Sequence, residues 1–323
     1  MKRYLVLLLL PIFSFSQLSY KDIMKMDSKD TFIKLMIDTG YSSTDKDSII
    51  GRIKDANVVI VNKVDLKNKY LSKAKNLELI ALSATGTNIV DLNYCKKHNI
   101  KVCNLRNYAS HAVAEHVFML MLSLIKQVKG LEKDIDNYTW QKRKVFALLD
   151  RKILNLKDKK LGIVGKGSIG LQVSKIAKVF QMNVKFISAR NLKSKRLHSF
   201  LSDIDVLSIH CPLEKNTKNL ISSRELNKMK KSALLINTAR GGIVNESALV
   251  KAIKNKIIAG AGIDVTSQEP PLKSHIYYSI NKYKNFIWTP HTAWASDEAL
   301  NAALTQLTQN INSFYAGNPK NLV

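Results

Sequence analysis

Three short stretches of the sequence carry side chains that could take part in catalysis. They are NTARGGIVNE (residues 237–246), GIDVTSQEP (262–270) and TPHTAWAS (289–296), which together offer an arginine, carboxylates and a histidine. A guanidinium can hold a carboxylate through paired hydrogen bonds, and an imidazole titrates near neutral pH. Each stretch follows a predicted strand, on the side of a parallel sheet where α/β folds bind ligands. The set therefore suits an anionic substrate and a proton transfer.

A glycine-rich stretch, LGIVGKGSIG, contains the spacing Gly165-x-Gly167-x-x-Gly170. The spacing alone is weak, because a tight turn can also need glycine. Here a buried strand precedes the turn and an amphipathic helix follows it, which is the context that dinucleotide binding requires. We expect a pyrophosphate to lie on the free amides around Ser168 and Ile169, where the helix dipole favours an anion.

The strand after this helix bears on the choice of cofactor. A carboxylate at its end would accept hydrogen bonds from the ribose hydroxyls of NAD, but the chain has Ser188, Ala189 and Arg190 there. A hydroxyl and a guanidinium can bind a 2′-phosphate, so NADP(H) is favoured over NAD(H). The alternative is that Arg190 is a solvated loop residue and both cofactors are accepted.

Composition sets broad limits on function. The chain has 323 residues, 46% of them apolar, which is enough for two domains. Its formal net charge of +26 could indicate a polyanionic partner, but the lysines are scattered along the whole chain rather than forming a basic arm. We therefore predict no nucleic-acid partner. The three cysteines suggest neither disulfides nor a zinc site, so we predict no metal and a reducing compartment.

Short apolar strands alternate with helical segments, which indicates an α/β protein. We predict two Rossmann-like or flavodoxin-like parallel-sheet domains with a cleft between them. An apolar helix over 111–130, closed by Gly130, is expected between the domains, and a second long helix spans 295–317. The predicted strands are residues 3–10, 32–38, 57–62, 77–84, 100–104, 160–165, 183–188, 205–210, 233–238, 258–265 and 285–290.

The ordered motifs resemble those of the D-isomer-specific 2-hydroxyacid dehydrogenase family. The family pattern combines a glycine fingerprint with Asn-x-x-Arg-Gly, Asp-Val-x-x-x-Glu-Pro and Pro-His, and this chain carries all four in order. The likeness covers nearly the whole length, and the variants ATGTN and HTAWAS are most similar to the glycerate dehydrogenase or hydroxypyruvate (glyoxylate) reductase branch. The resemblance implies a substrate-binding domain of residues 1–110 plus 292–323, and a dinucleotide-binding domain of residues 111–291.

The same resemblance assigns roles to individual residues. His291 would exchange a proton with the substrate oxygen, and Glu269 would pair with it, orient the ring and favour the imidazolium. Arg240 would hold the substrate carboxylate and polarise the adjacent carbonyl. The implied cofactor residues are Gly165, Gly167, Ser168, Ile169, Gly170, Ser188, Arg190, Cys211, Pro212, Thr238, Ala239 and Asp264. The implied substrate residues are Ala84, Thr85, Gly86, Arg240 and His291.

Each of these residues taken singly has an ordinary structural explanation. Arg240 could cap carbonyl groups, Asp264 and Glu269 could form turns, and His291 could be a satisfied histidine after a proline. For Cys211 and for His116, on the long apolar helix, packing is the favoured role. The functional interpretation depends on finding the motifs together.

The N-terminal stretch MKRYLVLLLLPIFSFSQ allows two interpretations. A basic pair, an apolar run and small polar residues could form a secretory signal over residues 1–17, although the run is too short to span a membrane. The run would serve equally as the first buried strand of a parallel sheet. Since the family begins directly with such a strand, we favour the strand, a cytoplasmic location and no membrane association.

The resemblance implies an enzyme that interconverts a D-2-hydroxy acid and its 2-oxo acid, either D-glycerate and hydroxypyruvate or glycolate and glyoxylate. We expect no C-terminal regulatory domain after residue 323, which argues against the long phosphoglycerate dehydrogenases. The alternative is a non-enzymatic dinucleotide-sensing protein on the same fold. The resemblance also implies a homodimer, with residues 137–153 as the exchanged arm.

Overall fold

A computed structural model of the protein describes residues 4–8, 18–19, 46–189 and 194–323. Its strands are β1 Tyr4–Leu8, β2 Leu18–Ser19, β3 Val58–Val61, β4 Leu79–Leu82, β5 Lys101–Cys103, β6 Lys160–Val164, β7 Asn183–Ile187, β8 Val206–Ile209, β9 Leu234–Asn237, β10 Gly260–Ile263 and β11 Phe286–Trp288. Its helices are α1 Ser48–Ile53, α2 Asn68–Leu71, α3 Leu92–Lys97, α4 Ser110–Ile125, α5 Val128–Asp136, α6 Thr139–Arg143, α7 Ser168–Val179, α8 Ser194–Asp203, α9 Ser223–Leu226, α10 Glu246–Lys254 and α11 Asp297–Tyr315, with a short 3₁₀ helix at Ile276–Ser279. The chain divides into two compact units, Met1–Tyr108 with Asp297–Val323, and Ala109–Ser296.

The first unit contains a sheet with the strand order β2-β1-β3-β4-β5. Strands β1, β3, β4 and β5 are parallel, and β2 is antiparallel to β1. Side chains on both faces of β3 and β4 are buried, which explains why these strands are continuous apolar runs. On one face, Val58 and Leu79 pack with Leu307 and Ile311 of α11.

The second unit contains a parallel sheet with the strand order β11-β10-β9-β8-β6-β7. Helices α4 and α7 cover one face, where Leu120 and Val173 pack with Ile163. Helix α10 covers the other face, where Leu249 packs with Leu207. Because all strands are parallel, the loops that follow β6, β8, β9, β10 and β11 all leave the same edge of this sheet.

The structure confirms the predicted α/β class with two parallel sheets, and most of the predicted strands. The strand predicted over 32–38 lies outside the described residues. The two-residue β2 was not predicted, since so short a segment has no periodic pattern. At the N-terminus the strand interpretation agrees with the structure, because β1 pairs in parallel with β3.

The long helix predicted over 111–130 is wrong at its C-terminal end. Helix α4 stops at Ile125, and Gln127 adopts a left-handed conformation with φ 56° before α5 begins. Gly130 does not end a helix but lies inside α5, where a Cβ would come within 2.7 Å of the Arg151 guanidinium. Arg151 donates from Nε and Nη2 to the carboxylate of Asp134, which is also a residue of α5, at 2.5 and 2.8 Å. The glycine therefore makes room for an ion pair.

The C-terminal helix follows its prediction more closely. Helix α11 begins at Asp297, within two residues of the expected start, and Gly317 has the left-handed φ of 77° typical of a helix end. Among the described residues, no helix is both long enough and apolar enough to cross a membrane.

Candidate active site

The glycine-rich turn lies where the strand order of the second sheet reverses. Strand β6 has β7 on one side and β8 on the other, and ligands bind at such switch points in α/β sheets. Gly165 follows β6 with φ 103°, and a Cβ there would lie 2.5 Å from the His210 carbonyl oxygen. A Cβ on Gly170 would lie 2.3 Å from the Gly165 carbonyl oxygen. Both glycines are thus required by the fold itself.

The middle glycine is different and points to a ligand. Gly167 is the N-cap of α7 with φ −79°, a conformation open to any residue, and a Cβ built there would meet no atom within 4 Å. Neither backbone strain nor packing requires glycine at this position. The amides of Ser168 and Ile169 open the first turn of the helix, where backbone donors lack intrahelical partners. The open space and the donors fit a dinucleotide pyrophosphate.

The loop after β9 is held by a buried amide. Asn237 accepts a hydrogen bond from the Ala239 amide at 3.1 Å and donates one to the Arg240 carbonyl oxygen at 3.1 Å. Thr238 between them is only 7% exposed, and its buried hydroxyl has no hydrogen-bond partner among the described residues. Since buried hydroxyls are normally paired, Thr238 is suited to contact a ligand. Thr238 and Ala239 remain predicted cofactor residues.

Arg240 lies on the same loop, three residues after β9. The side chain is exposed and donates from Nη1 to the Ala239 carbonyl oxygen at 2.7 Å. In the part of the chain that the structure describes, it makes no ion pair with a carboxylate. Its remaining donors are therefore available for the carboxylate of a substrate.

Glu269 and His291 form a direct pair. Glu269 Oε2 lies 2.6 Å from His291 Nδ1, while Glu269 Oε1 accepts the Thr266 amide at 3.0 Å. The two side chains are 30% and 23% exposed, so solvent and substrate can reach them. The carboxylate fixes the ring orientation through Nδ1, which leaves Nε2 for proton exchange.

The Arg240 loop lies against the loop that carries Glu269. A Cβ on Gly241 would come within 1.9 Å of the Thr266 carbonyl oxygen, so the two backbones are in direct contact. Thr266 in turn donates its amide to Glu269. The structure thereby brings the loops of all three predicted catalytic residues together at one edge of one sheet.

Asp264 organises the turn that carries His291. The Asp264 carboxylate is fully buried and accepts hydrogen bonds from the amides of Thr292 and Ala293, each at 3.0 Å. The backbone carbonyl oxygen of Asp264 accepts a hydrogen bond from the His291 amide at 2.8 Å. His291 itself has φ 57°, an unfavourable conformation for a residue with a Cβ. These three hydrogen bonds stabilise that conformation. Asp264 therefore acts on His291, in addition to its predicted role towards the cofactor.

Several supporting residues were missed by the sequence analysis. Glu246, the first residue of α10, accepts the amide and hydroxyl of Ser267 at 2.7 and 2.9 Å, and its Oε2 lies 3.2 Å from His275 Nε2. The two hydrogen bonds from Ser267 fix the position of the segment between Asp264 and Glu269. No local pattern reveals the contact, because Glu246 and Ser267 are 21 residues apart.

The loop after β8 contains a buried thiol, Cys211, and a partly buried imidazole, His210. Burial raises the pKa of the Cys211 thiol to about 11, which keeps it protonated and agrees with a packing role. Burial lowers the pKa of His210 to about 3, so its ring is neutral, with Nε2 2.7 Å from the Ser208 hydroxyl. The Pro212 carbonyl oxygen accepts from Thr217 at 2.7 Å. Cys211 and Pro212 stay predictions as cofactor residues.

The remaining predicted residues lie elsewhere. Ser188 directly follows β7, at the same sheet edge, and Arg190 lies outside the described residues. Ala84, Thr85 and Gly86 belong to the first unit, in the loop after β4. The carbonyl oxygens of Ala84 and Thr85 accept from Leu105 and Asn104 at 3.1 and 2.8 Å.

Comparison with known proteins identifies the class of this fold and site. The family model described as D-isomer specific 2-hydroxyacid dehydrogenase, NAD binding domain, matches residues 118–293. The chain is 40% identical over 285 residues to a glycerate dehydrogenase of Methylorubrum extorquens, covering 88% of this chain and 90% of that protein. It is 31% identical to a hydroxypyruvate reductase of Blautia hydrogenotrophica, covering 87% and 89%.

A solved structure shows the same fold. The D-lactate dehydrogenase of Aquifex aeolicus, complexed with NAD and lactic acid, superimposes with a TM-score of 0.77 at 26% identity, covering 97% of this chain and 96% of that one. These matches define an oxidoreductase that uses a nicotinamide dinucleotide and acts on the CH–OH group of a hydroxy acid. The chain belongs to the D-isomer specific 2-hydroxyacid dehydrogenase family, in its glycerate and hydroxypyruvate branch, as the sequence motifs predicted.

Proposed function

We propose that the protein reduces a small 2-oxo acid to its D-2-hydroxy acid and catalyses the reverse reaction, with hydroxypyruvate and D-glycerate or glyoxylate and glycolate as the pairs. The observation that carries this proposal is the 2.6 Å contact of Glu269 with His291. The adjoining loop carries Arg240, which pairs with no carboxylate among the described residues. The named relatives act as glycerate dehydrogenase and hydroxypyruvate reductase, which supports these substrates.

The geometry supports a simple division of labour. When bound, the reduced nicotinamide supplies a hydride to the substrate carbonyl carbon. His291 donates the proton from Nε2 to the carbonyl oxygen, while Glu269 accepts from Nδ1 and stabilises the positive ring before transfer. Arg240 binds the substrate carboxylate through two nitrogens and draws electron density from the adjacent carbonyl.

We assign substrate binding to the first unit as well. The amides of Ala84, Thr85 and Gly86 donate to none of the described residues, so they are suited to bind a carboxylate. In this proposal the unit Met1–Tyr108 with Asp297–Val323 is the substrate-binding domain, and Ala109–Ser296 is the dinucleotide-binding domain.

The experiment is a panel of turnover assays. Absorbance of NADPH or NADH is followed with hydroxypyruvate, glyoxylate, pyruvate and oxaloacetate, each at matched concentration. The proposal predicts oxidation with hydroxypyruvate or glyoxylate and the highest kcat/KM for one of them. Absence of turnover with every 2-oxo acid would overturn it.

A His291→Ala variant tests the role of the imidazole. We expect nearly complete loss of reduction with little change in dinucleotide affinity, measured by fluorescence titration, because the ring meets the substrate rather than the pyrophosphate. His98→Ala is the matched control, since His98 is an exposed histidine in the first unit. Loss of affinity together with activity would make His291 a structural residue.

We propose a preference for NADP(H) over NAD(H). Support comes from the end of β7, where Ser188 stands and the next two residues are Ala189 and Arg190, with no carboxylate to repel a 2′-phosphate. The ratio of kcat/KM for NADPH to that for NADH should exceed one and should invert in Ser188→Asp. A wild-type preference for NADH would refute this preference alone.

We propose a homodimer formed through residues 137–153. Phe146 and Leu149 in this segment are 98% and 86% exposed, and Tyr138 and Trp140 are 65% and 48% exposed. A second copy would remove this apolar surface from water. Phe146→Asp with Leu149→Asp should give a monomer by analytical ultracentrifugation, whereas Val179→Asp, at an equally exposed site on α7, should not. A wild-type monomer would exclude the dimer.

We also propose a cytoplasmic location. The pairing of β1 with β3 supports it, since removal of residues 1–17 would take this strand from the sheet. Cell fractionation with an antibody to the protein tests the location, and recovery in an exported fraction would refute it.

A further inference from the structure

A histidine on α4 contacts the residues that support His291. His116 Nε2 lies 3.0 Å from the Thr289 hydroxyl and 3.6 Å from Asp264 Oδ1. Its side chain is 14% exposed, and the Asp264 carboxylate is fully buried. All three residues belong to the second unit, and the catalytic roles above do not use His116 or Thr289.

The direction of each hydrogen bond follows from the acceptors present. The Thr289 hydroxyl lies 2.5 Å from Asp264 Oδ1 and 3.5 Å from its other acceptor, the Ile263 carbonyl oxygen, so its proton goes to Asp264. The Thr289 oxygen must then accept from His116, which places the proton of that ring on Nε2. Burial lowers the pKa of His116, and the nearby Asp264 opposes this only in part, so the ring is neutral at pH 7.

The chain of contacts ends at His291. Asp264 holds the turn through the amides of His291, Thr292 and Ala293. We infer that His116 is a positioning residue for His291, acting through the Thr289 hydroxyl and Asp264; this inference rests on the proposed function. Without the donor on His116, the Thr289 hydroxyl loses the partner that orients it towards Asp264. The Asp264 carboxylate is then no longer held in a single orientation.

The first test compares two replacements of similar size. His116→Gln places an amide N–H near the position of Nε2, whereas His116→Leu removes the donor. In His116→Leu, kcat for 2-oxo acid reduction should fall about 2- to 13-fold, the equivalent of one ordinary hydrogen bond. His116→Gln should recover most of the loss. His111→Leu, on the same helix but exposed and bonded to Gln172 at 3.1 Å, is the matched control.

The second test needs no turnover. Nitrogen-15 NMR of the imidazole rings reports which nitrogen carries the proton, and the His116 signals are assigned by their absence in His116→Gln. We expect the Nε2–H form in the wild type and a mixture of tautomers in Thr289→Val, which keeps the shape but removes the hydroxyl. If His116→Leu does not fold, Thr289→Val also serves in the kinetic test, where it should lower kcat by a similar factor.

Three outcomes overturn the inference while leaving the proposed function intact. They are an unchanged kcat in His116→Leu, an equal loss in His116→Gln and His116→Leu, and an Nδ1–H tautomer in an active wild-type protein. Failure of the proposed function is distinct, because the wild type itself would then turn over no 2-oxo acid.

Discussion

The close approach of Gly241 to Thr266 makes a substitution there a sensitive test of the site. A Cβ on Gly241 would lie 1.9 Å from the Thr266 carbonyl oxygen, and protein Cβ atoms do not approach a heavy atom closer than 3.0 Å. In Gly241→Ala the two backbones must therefore separate by about 1.1 Å. This displaces Arg240 from the loop that carries Glu269. A misplacement of about 1 Å can cost roughly 100-fold in rate, so kcat should fall by about that factor.

The assay is reduction of hydroxypyruvate or glyoxylate, with dinucleotide affinity and thermal unfolding measured on the same preparation. Gly51→Ala is the matched control, because a Cβ at this exposed helical position meets no atom within 4 Å. It should raise the free energy of unfolding by up to about 1 kcal/mol without changing kcat. A folded Gly241→Ala variant with wild-type kcat would refute the argument that this backbone contact sets the catalytic geometry.

Three further predictions concern other parts of the site. Glu269→Gln replaces a charged hydrogen bond to His291 by a neutral one, so kcat for reduction should fall about tenfold in steady-state assays. Gly167→Ala places a methyl group in open space, so thermal stability should be kept while dinucleotide binding by titration weakens about tenfold or more. Burial lowers the pKa of His210 to about 3, so the unfolded chain binds a proton that the folded chain refuses, and stability is lost as pH falls below the unfolded value of about 6.5. Urea unfolding should show a loss of stability between about pH 7 and about pH 5.5 that is smaller by about 1 kcal/mol in His210→Gln and unchanged in His98→Gln.

Each of these predictions has a contradicting outcome. Unchanged kcat in Glu269→Gln means that the negative charge does not stabilise the proton donor. Unchanged dinucleotide affinity in Gly167→Ala means that the space beside this glycine is not the pyrophosphate cradle. An equal pH dependence in His210→Gln and the wild type means that His210 is protonated in the folded state.

The sequence was sufficient to predict the sheets because their central strands are buried on both faces. Continuous apolar runs such as those of β3, β4 and β8 leave little ambiguity, and parallel pairing places the following loops at one edge. The order of Arg240, Glu269 and His291 after successive strands was therefore enough to predict that they converge. The helix boundary at Ile125 was missed because a glycine that accommodates Arg151 resembles a helix stop.

The supporting contacts of the site could not be predicted in the same way. His116 and Thr289 are 173 residues apart, and a histidine on an apolar helix is more often a packing residue. The hydrogen bond from Ser267 to Glu246 likewise depends on how the loop after β10 packs against the N-terminus of α10. The Pro-His motif indicates a proton donor but gives no sign of the left-handed φ of 57° or of the three amides that stabilise it.

Arg240, Glu269 and His291 all lie within the compact unit Ala109–Ser296. The proposed anion holder, proton donor and counter-charge are thus all carried by loops of one parallel sheet. The charges and dipoles of these groups are already oriented before the substrate binds, so they need little reorganisation during the reaction. For redesign, this means that side chains of the first unit can be altered without disturbing the loops that carry the proposed proton donor.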